Sequence, residues 1–263
     1  MTTVMAIHSH GGGTGKSHFA MNIAAALSLR GRRVCLVDTD VQAPGLHVLL
    51  GIDDDDLPHT LSDYLVGDCE IEQAAYDVTH HLGPAATGLL LLVPGRLDAD
   101  VIARIVGRGY DAGLLDDGLR VLRERFLPDV LLLDTHAGMT NETMVALAAA
   151  DSVTLLMRAD ELDFRSAAVT TAVTRRLNCP RTQVVLNMVG PDQDPHHVRG
   201  LAAAAYGCDV AAVVRHCPEL AALAGTSVFV LSHPEHAVAA AFADLAEHLV
   251  GLASGPPLPV AGL

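Results

Sequence analysis

The chain has 263 residues, half of them apolar, with 31 acidic against 17 basic side chains and a formal net charge of −14. That is enough apolar material for one large α/β domain or two small ones, and the acidic balance argues against non-specific binding to nucleic acid or anionic membrane, which needs clustered Lys and Arg. No basic region followed by an apolar stretch opens the sequence, and no uncharged apolar run is long enough to span a bilayer, so the expected location is the cytoplasm. Cys35, Cys69, Cys179, Cys208 and Cys217 show no C-x-x-C or C-x-C spacing, which indicates neither a disulfide framework nor a Cys-based metal clamp.

The first apolar run, Val4 to Ile7, reads as a strand and leads into His10-Gly-Gly-Gly-Thr-Gly-Lys-Ser17. Lys16 is the one lysine of the chain; every other basic residue is arginine. A strand, a glycine loop, Gly-Lys-Ser and a helix in that order form the pattern of a phosphate-binding loop. Glycines let consecutive backbone N–H groups turn inward around phosphate oxygens. A compact ammonium reaches the β and γ phosphates, where a planar guanidinium fits poorly. Ser17 offers a hydroxyl to Mg²⁺, and the helix start adds its dipole. Gly12, Gly13, Thr14, Gly15, Lys16, Ser17 and His18 are therefore candidate nucleotide contacts. The simpler alternative is a glycine turn that only caps a helix.

Ala20, Ile23, Ala24 and Leu27 then line one face of a helix. Further strands are expected at Val34–Val37, Leu89–Val93, Val130–Leu133, Val153–Met157, Val184–Leu186 and Val228–Leu231, each nearly continuous in apolar residues, as for parallel strands buried on both faces. The acidic run Asp53 to Asp56 reads as a solvated loop. A last helix is expected to open at Pro234 and to bury Val238, Ala241, Phe242, Leu245 and Leu249. Strands alternating with helices imply a single doubly wound, mostly parallel sheet with helices on both faces. One domain is expected over residues 1–253, followed by a flexible, proline-containing tail over 254–263 that has no basic face for lipid.

In such a sheet, ligands bind beyond the carboxyl ends of the strands. Asp38 and Asp40 follow the second strand, Asp134 and Gly138 follow the Val130–Leu133 run, and Asn187 follows Val184–Leu186. Mg²⁺ keeps several waters and takes few carboxylates, which suits Asp38, Asp134 and the Ser17 hydroxyl. A second acid can orient or deprotonate the attacking water, and Gly138 lets a backbone N–H approach a γ-phosphate.

Five segments together resemble the MinD/ParA family of P-loop ATPases over nearly the whole chain. They are Gly11–Ser17, Val34-Cys-Leu-Val-Asp-Thr-Asp-Val-Gln-Ala-Pro-Gly45, Asp129-Val-Leu-Leu-Leu-Asp-Thr-His-Ala-Gly138, Leu186-Asn-Met-Val189, and Cys217-Pro-Glu219 continued through Ala222 to Val230. The resemblance implies a P-loop fold and slow, partner-stimulated hydrolysis of ATP with Mg²⁺. Lys16 and Asp40 are then the catalytic pair, Asn187 reads the adenine edge, and Pro218 and Glu219 line the base. It also implies an ATP-dependent homodimer and a protein partner that is positioned or assembled. The alternative is an ATP-dependent cofactor-maturation factor or metallochaperone; a third reading is a scaffold that binds nucleotide without hydrolysis, against which Asp38, Asp40 and Asp134 speak.

The departures are specific. The family's signature lysine, which crosses the dimer interface to the partner's phosphates, falls at Gly11. The first Walker A glycine falls at His10, and the family's proline after Walker B is His136. Arg165 is the favoured substitute for the lysine, ahead of Arg158 and a protonated His10, with ordinary surface pairing to Asp160, Glu161 or Asp163 as the competing account. His10, His18 and His136 flank the phosphate site. His80-His81 and His196-His197 are adjacent pairs whose rings should diverge on a helix or strand, as scattered surface histidines rather than a metal site.

Overall fold

The structure, a computed structural model, describes residues 2–108, 111–223 and 225–254. Its strands are β1 (Thr3–His8), β2 (Arg33–Asp38), β3 (Tyr76–Asp77), β4 (Leu89–Val93), β5 (Val130–Asp134), β6 (Ser152–Arg158), β7 (Thr182–Val189) and β8 (Asp209–Arg215). They form one sheet in the order β3-β4-β2-β5-β1-β6-β7-β8. Every neighbouring pair is parallel except β3 with β4. The longer helices are α1 (Lys16–Leu29), α2 (Ala99–Arg108), α3 (Ala112–Phe126), α4 (Asn141–Ala149), α5 (Glu161–Arg176), α6 (Pro195–Tyr206) and α7 (Ala237–Ser254). This is the doubly wound P-loop fold expected from the sequence.

The strand composition follows from burial on both faces. Successive side chains of a strand point to opposite sides. Val130 and Leu132 of β5 join Met5, Leu36 and Leu90 on one side. Leu131 and Leu133 join Val4, Ala6 and Val37 on the other. A strand with no solvated face must be apolar throughout. A third cluster, around Leu155, Leu186, Val198 and Tyr206, closes the β7–β8 end.

Helix α1 is more enclosed than its expected stripe of Ala20, Ile23, Ala24 and Leu27. All residues from Phe19 to Ser28 are buried, because α7 covers the side turned away from the sheet. Phe19 and Phe242 meet with ring centroids 5.8 Å apart. Arg30 with Asp244, and Arg32 with Glu247, tie the C-terminal end of α1 to the middle of α7. Helix α7 begins at Ala237 rather than Pro234; Phe242, Leu245 and Leu249 are buried as expected, but Ala241 is exposed, and Ala239 and Ala246 face inward instead.

Val228–Leu231 is not a strand. Phe229–Ser232 form a short helical turn, and the Val230 N–H donates to Asn22 Oδ1 of α1 at 2.9 Å, where a strand would need a neighbouring ladder. The edge place in the sheet belongs to β8, whose sequence carries two alanines and whose side chains are mostly half-buried. Asp54–Asp56 make one exposed 3₁₀ turn, with Asp54 paired to His47 at 3.1 Å. Ser254 ends α7, and the rest of the expected tail lies outside the described residues. Among the described residues no helix is long and apolar enough to cross a membrane.

Candidate functional site

Sheet order brings the singled-out residues to one edge. β2, β5 and β1 are consecutive, so Asp38 stands in register with Asp134, and Ile7 with Asp134 on the other side. The chain leaves β1 at His8, crosses the glycine loop and enters α1 at Lys16. Gly13 and Gly15 have φ of 72° and 84°, a left-handed backbone that favours glycine. At Gly15 space gives a second reason: a Cβ there would stand 3.0 Å from Asn187 Nδ2. Gly12 and Gly13 are exposed, while Thr14 is buried with no hydrogen-bond partner for its hydroxyl among the described residues.

Lys16 is buried, and its Nζ donates to Asp134 Oδ1 at 2.8 Å. Desolvation works against the ammonium, but Asp134, Asp40 and Asp38 together hold its pKa above the ordinary lysine value. The Asp134 pKa is raised as well: burial outweighs the nearby lysine. Asp134 Oδ2 is buried without a hydrogen-bond partner among the described residues. Burial and the Asp134 charge push Asp38 up to about 7. Asp38 Oδ2 accepts the N–H groups of Gly45 (2.9 Å) and Leu46 (3.2 Å), and its Oδ1 accepts that of Asp40 (3.2 Å). Asp38 thus organises the loop after β2.

Asp40 Oδ1 accepts from the Ala43 N–H at 3.0 Å and lies 2.6 Å from His136 Nδ1. His136 therefore touches the candidate hydrolytic acid. Gly138, at φ 82°, donates its N–H to the Ser9 carbonyl at 3.1 Å. His8 was not singled out in the sequence. It is fully buried at the end of β1, and its Nδ1 lies 2.8 Å from Thr135 Oγ1. That hydroxyl donates onward to the Ile7 carbonyl, so His8 Nδ1 carries the proton and Nε2 is left without a partner. Burial, then the Lys16 charge, lowers the His8 pKa to about 3. A polar residue closing an apolar strand just ahead of the glycine loop was the available signal.

Next to the loop lies a cavity of about 270 Å³ with mostly apolar walls, bordered by Gly15, His18, Asn187, Met188, Cys217 and Leu220. Asn187 has two tasks here: it borders the cavity, and its Nδ2 donates to the Thr14 carbonyl at 2.8 Å. Burial lowers the pKa of His18. Pro218 and Glu219 are exposed and stand outside the cavity wall, which takes Cys217 and Leu220 from that segment. Arg165 pairs with Glu161 at 2.8 Å on the surface, and Arg158 with Asp163 at 3.1 Å and Asp160 at 3.2 Å. A Cβ at Gly11 would stand 3.1 Å from Asp163 Oδ1. His80 and His81 do not diverge: in the turn Thr79–Leu82 their ring centroids lie 4.1 Å apart.

The profile of the CobQ/CobB/MinD/ParA nucleotide binding domain matches residues 5–228, and the chain belongs to this family. An uncharacterized ATP-binding protein of Methanocaldococcus jannaschii is 27% identical over 253 residues, 95% of this chain and 89% of that protein. The antiactivator FleN of Pseudomonas aeruginosa is 28% identical over 73% of this chain and 63% of its own length. Among solved structures, the septum site-determining protein MinD of Pyrococcus horikoshii, complexed with Mg-ADP, superimposes with a TM-score of 0.80 at 26% identity, covering 97% of this chain and 98% of that one.

Proposed function

We propose that this chain is a Mg²⁺-dependent ATPase, slow alone and stimulated by a partner, that acts as a nucleotide switch to position or assemble that partner. Residues 1–253 form its ATPase domain, and two copies pair when ATP is bound. The observation that carries this reading is the buried Lys16–Asp134 pair at 2.8 Å, in a glycine loop, with the second Asp134 oxygen unpartnered. A buried ammonium held by a single carboxylate can take a phosphate as a further anion. The free Asp134 oxygen, the Ser17 hydroxyl and Asp38 form an all-oxygen donor set of the kind that holds Mg²⁺ through water. That ion supplies positive charge against the β and γ phosphates.

The Gly12–Ser17 backbone and the α1 N-terminus hold the phosphates. The cavity beside Asn187 receives the base, with His18 at its edge. Asp40, fixed by the Ala43 N–H and the His136 ring, orients the attacking water. The partner role draws on relatives that include an antiactivator and a septum site-determining protein.

Single-turnover hydrolysis of ATP with Mg²⁺ tests the reading. Asp40→Ala should bind ATP and hydrolyse it ~10²–10⁴-fold more slowly, the usual range for a lost general base. An unchanged rate removes Asp40 from the mechanism.

A further inference from the structure

Outside the phosphate site, three side chains of different chemistry converge where the β8 exit meets the start of α7. Cys217, Glu219 and His236 each present one ligand atom, and these atoms all lie within 4.8 Å of one another. Cys217 Sγ donates to Glu219 Oε2 at 3.3 Å. Around a tetrahedral ion with metal–sulfur and metal–oxygen or –nitrogen bonds of ~2.3 and ~2.0 Å, ligand atoms lie about 3.2–3.8 Å apart. The thiol–carboxylate distance already satisfies this, and closing the remainder takes about 1 Å, within reach of an exposed Glu219 and a half-buried His236.

We infer that Cys217, Glu219 and His236 form a binding site for a divalent transition-metal ion of the Zn²⁺ type, separate from the oxygen-only donor set at Asp134. A thiolate, an imidazole and a carboxylate suit Zn²⁺ and its neighbours, whereas Mg²⁺ and Ca²⁺ select oxygen. Binding releases one proton: the Cys217 S–H, now shared with Glu219, is replaced by a thiolate–metal bond. His236 Nδ1 accepts from the Val238 N–H at 3.1 Å. A metal at either ring nitrogen ends that bond, since one occupies Nδ1 and the other requires its proton. Val238 sits in the first turn of α7, where N–H groups have no partner within the helix and water can take over. The His236 ring is held edge-on to Phe229, with centroids 5.2 Å apart.

Three protein ligands leave a fourth position open. Cys217 also borders the cavity beside the phosphate loop, so the ion would fix a wall of that cavity to the start of α7.

The test is equilibrium dialysis of the full chain against Zn²⁺, without nucleotide, followed by elemental analysis, and titration with Co²⁺ as a spectroscopic probe. The wild type should retain one equivalent of Zn²⁺, and Co²⁺ should produce thiolate-to-cobalt charge-transfer absorption. Cys217→Ser should abolish that absorption. Glu219→Gln and His236→Gln should weaken Zn²⁺ binding by more than the ~10–100-fold typical of losing a ligand's outer-shell support. Cys208→Ser, away from the cluster, should change nothing. Because Glu219 is exposed, its variant carries the test even if Cys217→Ser fails to fold. Retention of less than a tenth of an equivalent by the wild type, or a Glu219→Gln variant that binds Zn²⁺ as the wild type does, overturns the proposal. Either result leaves the ATPase reading intact, since no nucleotide enters the measurement.

Discussion

Arg158 and Arg165 stand seven positions apart, yet their guanidinium groups are held very differently. Arg158 donates from both its backbone and its side chain to the buried Asp163. Among the described residues, Arg165 meets only Glu161 one helical turn away, in a pair that is 78% and 81% exposed. An exposed pair of this kind is worth about 0–1 kcal/mol. Releasing Arg165 therefore costs little, while releasing Arg158 uncovers a buried carboxylate.

This difference bears on the cation that the family resemblance expects at Gly11 and that we propose Arg165 supplies. Two apposed triphosphates across an interface need a cation that Gly11 does not supply. In sedimentation with a non-hydrolysable ATP analogue, the wild type should dimerise and Arg165→Ala should not. A wild type that stays monomeric with the analogue, or is equally dimeric without it, contradicts the nucleotide sandwich.

The neutral, buried His8 predicts a pH dependence of stability. Its pKa falls from 6.5 to about 3 on folding, so between these values the unfolded chain binds more protons than the native one. Its contribution is complete above pH 6.5 and is lost as pH falls toward 3, with a slope of up to ~1.4 kcal/mol per pH unit. His8→Asn keeps a donor for Thr135 and cannot titrate. Chemical denaturation of this variant should show a flatter decline of stability over that window; an identical decline would exclude His8 as its source.

Asn187 supports the loop through the Thr14 carbonyl and also borders the apolar cavity beside it, the proposed seat of the base. Wild type should prefer ATP over GTP, and Asn187→Ala should narrow the preference by ~5–10-fold, the value of about one hydrogen bond. Equal competition by GTP in the wild type would count against the proposed reading of adenine.

Much of this site was legible because its parts are local in sequence. The glycine loop, Lys16-Ser17 and the acids ending β2 and β5 sit directly after apolar runs. What stayed hidden depends on distant packing. Val228–Leu231 is a short apolar run, and such runs do not distinguish helix from strand; Asn22, more than two hundred residues earlier, captures the Val230 N–H and decides it. β8 gives a weaker strand signal because its edge position asks for only half-burial, so two small alanines, Ala211 and Ala212, stand in the middle of its short run. The Asp40–His136 contact joins loops ninety-six positions apart. The Cys217–Glu219–His236 cluster could not be read from cysteine spacing, since its third donor comes from the start of another helix.

Titration of ATP with Mg²⁺ into wild type and Lys16→Ala decides whether the glycine loop binds ATP through Lys16. Thermal melting of both proteins would establish that the variant is folded, because the substitution leaves Asp134 buried without its counter-ion. Charge-assisted hydrogen bonds contribute about 1.5–3 kcal/mol each, so Lys16→Ala should bind ATP at least ~10–100-fold more weakly than wild type. A folded Lys16→Ala protein that binds ATP with wild-type affinity would contradict the assignment.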